Sequence, residues 1–177
     1  VPNRRKFVAF DAYKKVMESE VDLVMLTSAP HFRPRHLKAA VDAGKHVFME
    51  KPMAVDPVGV RSVIESSEKA ERKGLTIVGG TQTRRDPVVQ KAMERIHNGA
   101  IGDLVGGKYW RLGTAMSSWG PPERKPEWSD MEWQIRNWYF YAWTSGDFIA
   151  EMHIHGLDVI NWAFDSHPVS CTGFGEI

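Results

Sequence analysis

In the first hundred positions, short apolar runs take turns along the chain with stretches in which apolar residues recur at helical spacing. Three short, near-continuous apolar runs, at residues 21–28, 46–49 and 75–78, are typical of buried strands, and we expect the first to be covered on both faces. Apolar residues at helical spacing predict helices over residues 11–19, 34–43, 56–74 and 86–97. Strands that alternate with helices predict a parallel α/β sheet with right-handed crossovers.

The pattern changes after residue 102. Residues 104–113 predict a strand with larger aromatic side chains, and residues 117–129 predict a long loop rich in Pro, Gly and Trp. Helices are predicted over residues 131–143 and 146–164, and a further strand over residues 169–175. We therefore expect a domain boundary near residues 99–103, with one domain over residues 1–100 and a second over residues 101–177.

The composition fits a globular chain with a hydrophobic core, since 42% of the 177 residues are hydrophobic and 25% are charged. With 23 basic and 22 acidic residues, the charge gives no reason to expect a nucleic-acid or membrane partner. The densest basic run, residues 33–38, is interpreted as a surface segment. The single cysteine excludes an internal disulfide. The compartment stays open, with the cytoplasm as the default, because a leader could precede Val1.

Polar residues follow each of the three predicted strands, at residues 27–31, 50–52 and 79–82. In open parallel sheets ligands bind outside the carboxyl ends of the strands, so these clusters could line one crevice. Gly, Pro and Ser also mark ordinary turns, and each cluster alone is better explained as a turn. Glu50-Lys51-Pro52 is the exception, because a charged pair directly after a buried strand is costly unless it is used.

The predicted helix 146–164 carries Glu151, His155, Asp158 and Trp162 at a spacing that places them on one face. A carboxylate one turn before a histidine can orient the imidazole and support its charged form. A solvated face with paired charges explains the same spacing equally well. On a strand, Glu151, His153 and His155 would instead share a face and could bind zinc. The helical apolar pattern favours the helix over the strand, and we therefore expect no metal site here.

Three segments in the same order resemble the Gfo/Idh/MocA oxidoreductases: residues 21–54 with AGKHV and Glu-Lys-Pro, residues 100–110, and residues 145–162. The resemblance implies that residues 1–100 form the C-terminal part of a Rossmann domain. It implies that residues 101–177 begin an α+β domain with a large, open, mainly antiparallel sheet, through which such proteins form dimers or tetramers. It also implies a nicotinamide cofactor, NAD or NADP, and a sugar, polyol or related hydroxyl compound as substrate.

The resemblance also assigns roles to residues. Lys51 would contact substrate and cofactor, His155 would take the hydroxyl proton, and Glu151, where aspartate is commoner in the family, would orient His155. The residues implied near the cofactor are Thr27, Ser28, Pro30, His31, Glu50, Lys51 and Pro52, and those implied near the substrate are Gln82, Arg84 and Asp158. Trp119 and Trp128, in the predicted loop, could form a stacking wall for a sugar.

One departure from the family is the absence of the Gly-x-Gly-x-x-Gly turn from the 177 residues. We expect that turn to precede Val1, and the chain to be a fragment that also lacks the end of the second domain. Three alternatives stay open: a relative that retains its cofactor and cleaves glycosides through transient oxidation, a non-catalytic sugar-binding protein on the same fold, and a metal-dependent hydrolase.

Overall fold

The computed structural model describes residues 2–111 and 123–175, and these form ten helices and strands joined by shorter 3₁₀ and π turns. The strands are β1 (Leu23–Leu26), β2 (His46–Met49) and β3 (Ile77–Gly79). The helices are α1 (Ala12–Met17), α2 (Arg33–Asp42), α3 (Pro57–Arg72), α4 (Pro87–His97), α5 (Asp130–Arg136), α6 (Ala142–Ser145) and α7 (Ile154–Phe164). None of the helices described is long and apolar enough to cross a membrane.

The three strands form a parallel sheet in the order β1-β2-β3. Leu26 lies opposite Met49, and Met49 lies opposite Gly79, so the carboxyl ends of the strands meet at one edge. The predicted α/β architecture is confirmed, and β2 has the predicted bounds. This edge is where ligands bind in sheets of this type.

The core lies between α2 and one face of the sheet. Leu37, Ala40 and Val41 of α2 are fully buried, and they belong to one cluster with Val47 and Met49 of β2. The prediction that the first strand is covered on both faces was wrong. Leu23 is 54% exposed and Met25 is 64% exposed, because β1 is the outer strand and the described residues cover only its other face.

Carboxylate caps fix the starts of two helices, as the sequence predicts. Asp56 Oδ1 accepts a hydrogen bond from the Gly59 amide at 2.7 Å, at the start of α3. Asp86 Oδ1 accepts hydrogen bonds from the amides of Val88 at 2.8 Å and Val89 at 3.3 Å, at the start of α4. Pro is the first residue of both helices, where its missing amide hydrogen costs nothing.

A surface ion cluster joins α2 to α3. Asp42 accepts hydrogen bonds from Lys38 at 2.8 Å and from Lys69 at 2.6 Å. These two ammonium groups lower the pKa of Asp42 to about 2. Close packing adds to the contact, since a Cβ at Gly59 would lie 3.1 Å from Pro34 Cγ. The first turn of α2 is therefore held firmly against α3.

The second half of the chain departs from prediction in its helices. The predicted helix 131–143 is interrupted at Asn137, and it consists of α5, a 3₁₀ turn (Trp138–Phe140) and the beginning of α6. The Asn137 side chain folds back onto the helix at this point, where its Nδ2 donates to the Trp133 carbonyl at 2.9 Å beside the bond from its own backbone amide at 3.0 Å. The prediction of one continuous helix here was wrong.

The predicted helix 146–164 is also divided. Gly146 and Asp147 have positive φ angles of 76° and 63°, which no α-helix accommodates. A π-helical turn (Ile149–His153) follows, and α-helix begins only at Ile154. The α-helical face predicted for residues 151–162 therefore exists only from residue 154 onward.

The two predicted strands of the second half do not form in the part of the chain that the structure describes. Residues 104–111 and 169–175 have no strand pairing, and residues 112 and 113 lie outside the described residues. The large open sheet that the resemblance implies is likewise not seen within residues 2–111 and 123–175.

The chain divides into two compact units, Val1–Gly80 with Met116–Glu151, and Thr81–Ala115 with Met152–Ile177. The predicted division between residues 100 and 101 stays a prediction. Within the second unit, α4 packs against α7, and the Trp162 carbonyl accepts a hydrogen bond from His97 Nε2 at 2.9 Å. The Tyr109 ring lies directly against the backbone of α7 at Gly156, where a Cβ would overlap it.

Candidate active site

The carboxyl edge of the sheet in the first unit brings together segments that are distant in sequence. The Glu50 amide donates to the Leu26 carbonyl at 3.1 Å, and the Gly80 amide donates to the Met49 carbonyl at 2.8 Å. These two bonds continue the ladder one residue beyond β2 and β3. Glu50 and Gly80 are therefore fixed side by side at this edge, and Lys51 follows Glu50 directly.

Lys51 forms a buried ion pair with Glu151. Its Nζ donates to Glu151 Oε2 at 2.8 Å and to the Glu151 carbonyl at 2.7 Å. The Lys51 side chain is 17% exposed and that of Glu151 is 4% exposed, so the lysine is the more accessible member of the pair. The other carboxylate oxygen of Glu151, Oε1, is buried and has no hydrogen-bond partner among the described residues.

Glu50 is held by its own neighbours. Its Oε2 accepts a hydrogen bond from the Lys51 amide at 3.1 Å. The carboxylate also packs on the backbone of Gly80, where an added Cβ would lie 2.7 Å from Oε2. Gly80 therefore leaves the space that the Glu50 carboxylate occupies, and a larger residue there would displace it.

Arg33 lies beneath this segment and is only 3% exposed. Its Nη1 donates to the Pro52 carbonyl at 2.7 Å, while its Nε has no hydrogen-bond partner among the described residues. Burial lowers the pKa of Arg33, and the negative charges of Glu151 and Glu50 oppose that effect. The interpretation of residues 33–38 as a surface segment was therefore wrong for Arg33.

The spacing contained a signal for this burial. Arg33 precedes Leu37 by four residues and Ala40 by seven, so it continues the core-facing stripe of α2. The density of basic residues in the run conceals that periodicity. Arg33 is the principal residue of the site that the sequence did not indicate.

The end of β1 presents a mixed polar and aromatic surface. Thr27 and His31 are exposed, and Pro30 is buried. The His31 ring meets the Trp143 ring edge to face at 5.1 Å between centroids. Ser28 is half-buried, with its Oγ 3.3 Å from His36 Nδ1, and burial lowers the pKa of His36 with a smaller effect from Arg35.

The second unit holds the residues for which a substrate role was predicted. Arg84 Nε donates to both carboxylate oxygens of Asp158, at 3.0 and 2.9 Å, and its guanidinium lies 5.3 Å from the Trp162 ring centroid. Gln82 is exposed. His155 is half-buried in the first turn of α7. The roles predicted for these residues stay predictions.

The tryptophans of the predicted loop can be described only in part. Trp119 lies outside the described residues. The Trp128 ring lies 4.6 Å from the Arg136 guanidinium and stacks on Trp133 at 6.2 Å between centroids, so intramolecular contacts hold it. No group of three or more His, Cys, Asp or Glu side chains suited to a metal ion occurs in residues 2–111 and 123–175.

Comparison with known proteins places these features in a wider group. Residues 1–79 match the family model described as "Oxidoreductase family, NAD-binding Rossmann fold". The chain is 28% identical over 145 residues to an uncharacterized oxidoreductase of Synechocystis, covering 82% of this chain and 35% of that protein. It is 24% identical over 174 residues to an inositol 2-dehydrogenase of Acidothermus cellulolyticus, covering 93% and 44%.

A solved structure shows the same fold. The scyllo-inositol dehydrogenase of Lactobacillus casei, determined with NAD(H) and scyllo-inositol bound, superposes with a TM-score of 0.60 at 22% identity, over 86% of this chain and 40% of that chain. The chain thus spans 35% and 44% of the length of the two curated relatives described above.

Proposed function

We propose that the chain belongs to the Gfo/Idh/MocA oxidoreductases, whose family model its residues 1–79 match, and that it carries part of the active site of an enzyme that transfers hydride between NAD or NADP and a hydroxyl-bearing carbon of a sugar or polyol. The observation that supports this proposal is the ion pair of Lys51 with the buried Glu151 carboxylate, beyond the carboxyl end of β2. The relatives named inositol dehydrogenases suggest a cyclic polyol as the substrate class.

The residues of the first unit fit the reacting half of a nicotinamide dinucleotide. A lysine whose side chain is partly exposed lies at the edge of a parallel sheet, where such cofactors bind. When bound, the nicotinamide ring would accept or donate the hydride. The 177 residues contain no Gly-x-Gly-x-x-Gly turn, so we assign to them none of the contacts that such a turn makes with the pyrophosphate.

The geometry of Lys51 suggests its chemical role. An ammonium group has three protons to donate, and Glu151 accepts two of them, through its carbonyl and its Oε2. The third is directed by the other two and can be donated to a substrate oxygen. A fixed positive donor at that oxygen stabilises the negative charge that develops there as the hydroxyl proton leaves.

We assign the removal of that proton to His155, as the resemblance implies. A histidine is suited to this step because its ordinary pKa lies close to neutral pH. Glu151 serves Lys51 in the structure, so we propose that its main effect on the reaction is to hold the ammonium group in place.

The first test measures NAD and NADP reduction by the full-length protein with a panel of inositols, sugars and linear polyols. Lys51→Met should lower turnover by about 10² to 10⁴. Lys38→Met is the matched control, because Lys38 is also ion-paired but lies on the outer surface of α2. Near-normal turnover of a folded Lys51→Met protein would exclude Lys51 from the mechanism.

The second test separates two neighbouring histidines. His155→Ala should abolish turnover, whereas His153→Ala should leave the pH profile of turnover nearly unchanged, with at most a modest effect on stability. An inactive His153→Ala together with an active His155→Ala would contradict the assignment of the base.

A further inference from the structure

We propose that Arg33 is a positioning residue for Lys51: its guanidinium holds the Pro52 carbonyl, and with it the backbone from which Lys51 extends to Glu151. This inference rests on the proposed function, because it assigns Arg33 a part in keeping Lys51 ready to act. It comes from the contacts of a buried cation that none of the sequence motifs explains.

Arg33 occupies a position that is unfavourable for a cation. It is the first residue of α2, where the helix dipole favours negative charge, and it is 3% exposed. A buried guanidinium loses its hydration, and here its Nε gains no hydrogen bond from the described residues in return. Helix formation and core packing therefore do not account for an arginine at position 33.

The favourable interactions described for Arg33 involve the segment that carries Lys51 and the partner of Lys51, Glu151. Arg33 Nη1 donates to the carbonyl of Pro52, the residue that follows Lys51, at 2.7 Å. Pro52 is itself almost completely buried. The charges of Glu151 and Glu50 act on the guanidinium in the stabilising direction.

The charges of this cluster balance only when Arg33 is included. Glu50 and Glu151 contribute two negative charges, and Lys51 alone would compensate one of them. Arg33 supplies the second positive charge. Without it, the cluster would carry an uncompensated negative charge, and the position of the Lys51 ammonium beside Glu151 would be less strictly determined.

The support beneath Arg33 is rigid. The ring of Pro34 packs closely where α2 meets α3, and a Cβ at Gly59 would lie 3.1 Å from Pro34 Cγ. The hydrogen bond from Arg33 in this turn ties the Pro52 carbonyl to that packed region. Active-site groups are held best when their supporting residues lie on fixed elements, and Arg33 meets that condition.

The test uses the full-length protein without cofactor or substrate and measures how fast each lysine is acetylated by a water-soluble acetylating reagent, with mass spectrometry of the peptides. The Lys51 ammonium is protected by its two bonds to Glu151, so the rate at Lys51 relative to exposed Lys38 reports how firmly it is held. Arg33→Met should raise that relative rate by about fivefold or more, since the segment opens more often. Arg35→Met, an exposed arginine on the same helix, should leave it unchanged.

Arg33→Lys keeps the positive charge but lacks the planar guanidinium with its fixed donors. We expect it to raise the relative acetylation rate of Lys51 by about twofold or more, but by less than Arg33→Met does. This variant also decides the question if Arg33→Met does not fold. If Lys51 is acetylated as slowly in the folded Arg33 variants as in the wild type, the proposal is overturned. An increase of the Lys51 rate in Arg35→Met equal to that in Arg33→Met would also overturn it. Turnover serves as a separate measurement: an inactive wild type would contradict the proposed function, whereas the acetylation rates still decide the role of Arg33.

Discussion

The Lys51–Glu151 pair should be the most strongly coupled ion pair that the structure describes, and a double-mutant cycle tests this. The perturbations are Lys51→Met, Glu151→Leu and the two together. Lys51→Met removes both hydrogen bonds to Glu151 and leaves a carboxylate that is 4% exposed without a described partner on either oxygen. A single unpaired buried charge of this kind is the costly outcome.

The magnitude follows from burial. Breaking a fully buried pair by removing one partner costs about 3–5 kcal/mol of the free energy of unfolding. Lys51 is 17% exposed, so some water can replace its ammonium group, and we expect about 3 kcal/mol for Lys51→Met. Glu151→Leu leaves the more accessible partner unpaired and should cost about 1–2 kcal/mol. The double variant removes both charges and should lose less than Lys51→Met alone.

The assay is urea unfolding of the full-length protein, followed by tryptophan fluorescence. Lys38→Met again provides the control, because the side chains of Lys38 and Asp42 are 63% and 40% exposed and their pair should contribute little to the free energy of unfolding. If the two single losses simply add in the double variant within about 0.5 kcal/mol, Lys51 and Glu151 are not coupled and our interpretation of the pair is wrong.

Three further predictions concern other contacts. Gly80→Ala should lower turnover about tenfold or more without unfolding the protein, because its Cβ would lie 2.7 Å from Glu50 Oε2, and unchanged kinetics would contradict this. The pKa of Asp42 is lowered to about 2 from 3.8, so its stabilising effect is fully present above the unfolded value and is lost as the pH falls through the folded value. In chemical denaturation, Asp42→Asn should cost about 1 kcal/mol or less at neutral pH, and this cost should shrink as the pH falls toward 2. In the same assay, Arg84→Met with Asp158→Asn should cost little more than either change alone, because the two side chains bond each other, and additive losses would contradict that.

Elements with local signals were predicted well from the sequence. The strand at residues 46–49 is a short apolar run between clear stops, and the helix from Pro87 begins with a capping aspartate that needs no distant partner. The Lys51 segment could also be identified, because a charged pair directly after a buried strand is unusual.

Features that depend on distant residues were not predictable in the same way. Aliphatic and aromatic residues at 104–111 favour a strand, but a strand forms only where a partner supplies hydrogen bonds, and one segment does not reveal its partner. Likewise, local spacing does not reveal the bond of Glu151 to a lysine 100 residues earlier in the chain, and the prediction that Glu151 orients His155 stays a prediction. The π turn before α7 arises where Gly146 and Asp147 adopt positive φ, which periodicity does not encode.

The contact of Tyr109 with Gly156 limits the substitutions that this protein can accept during evolution. Glycine is a poor helix former, and replacing a helical glycine by alanine usually adds about 1 kcal/mol of helix stability. Alanine cannot add this stability at position 156, because the Tyr109 ring occupies the space that its Cβ would need. Positions 109 and 156 should therefore covary among close relatives, with any lineage that acquires a side chain at 156 carrying a smaller residue at 109.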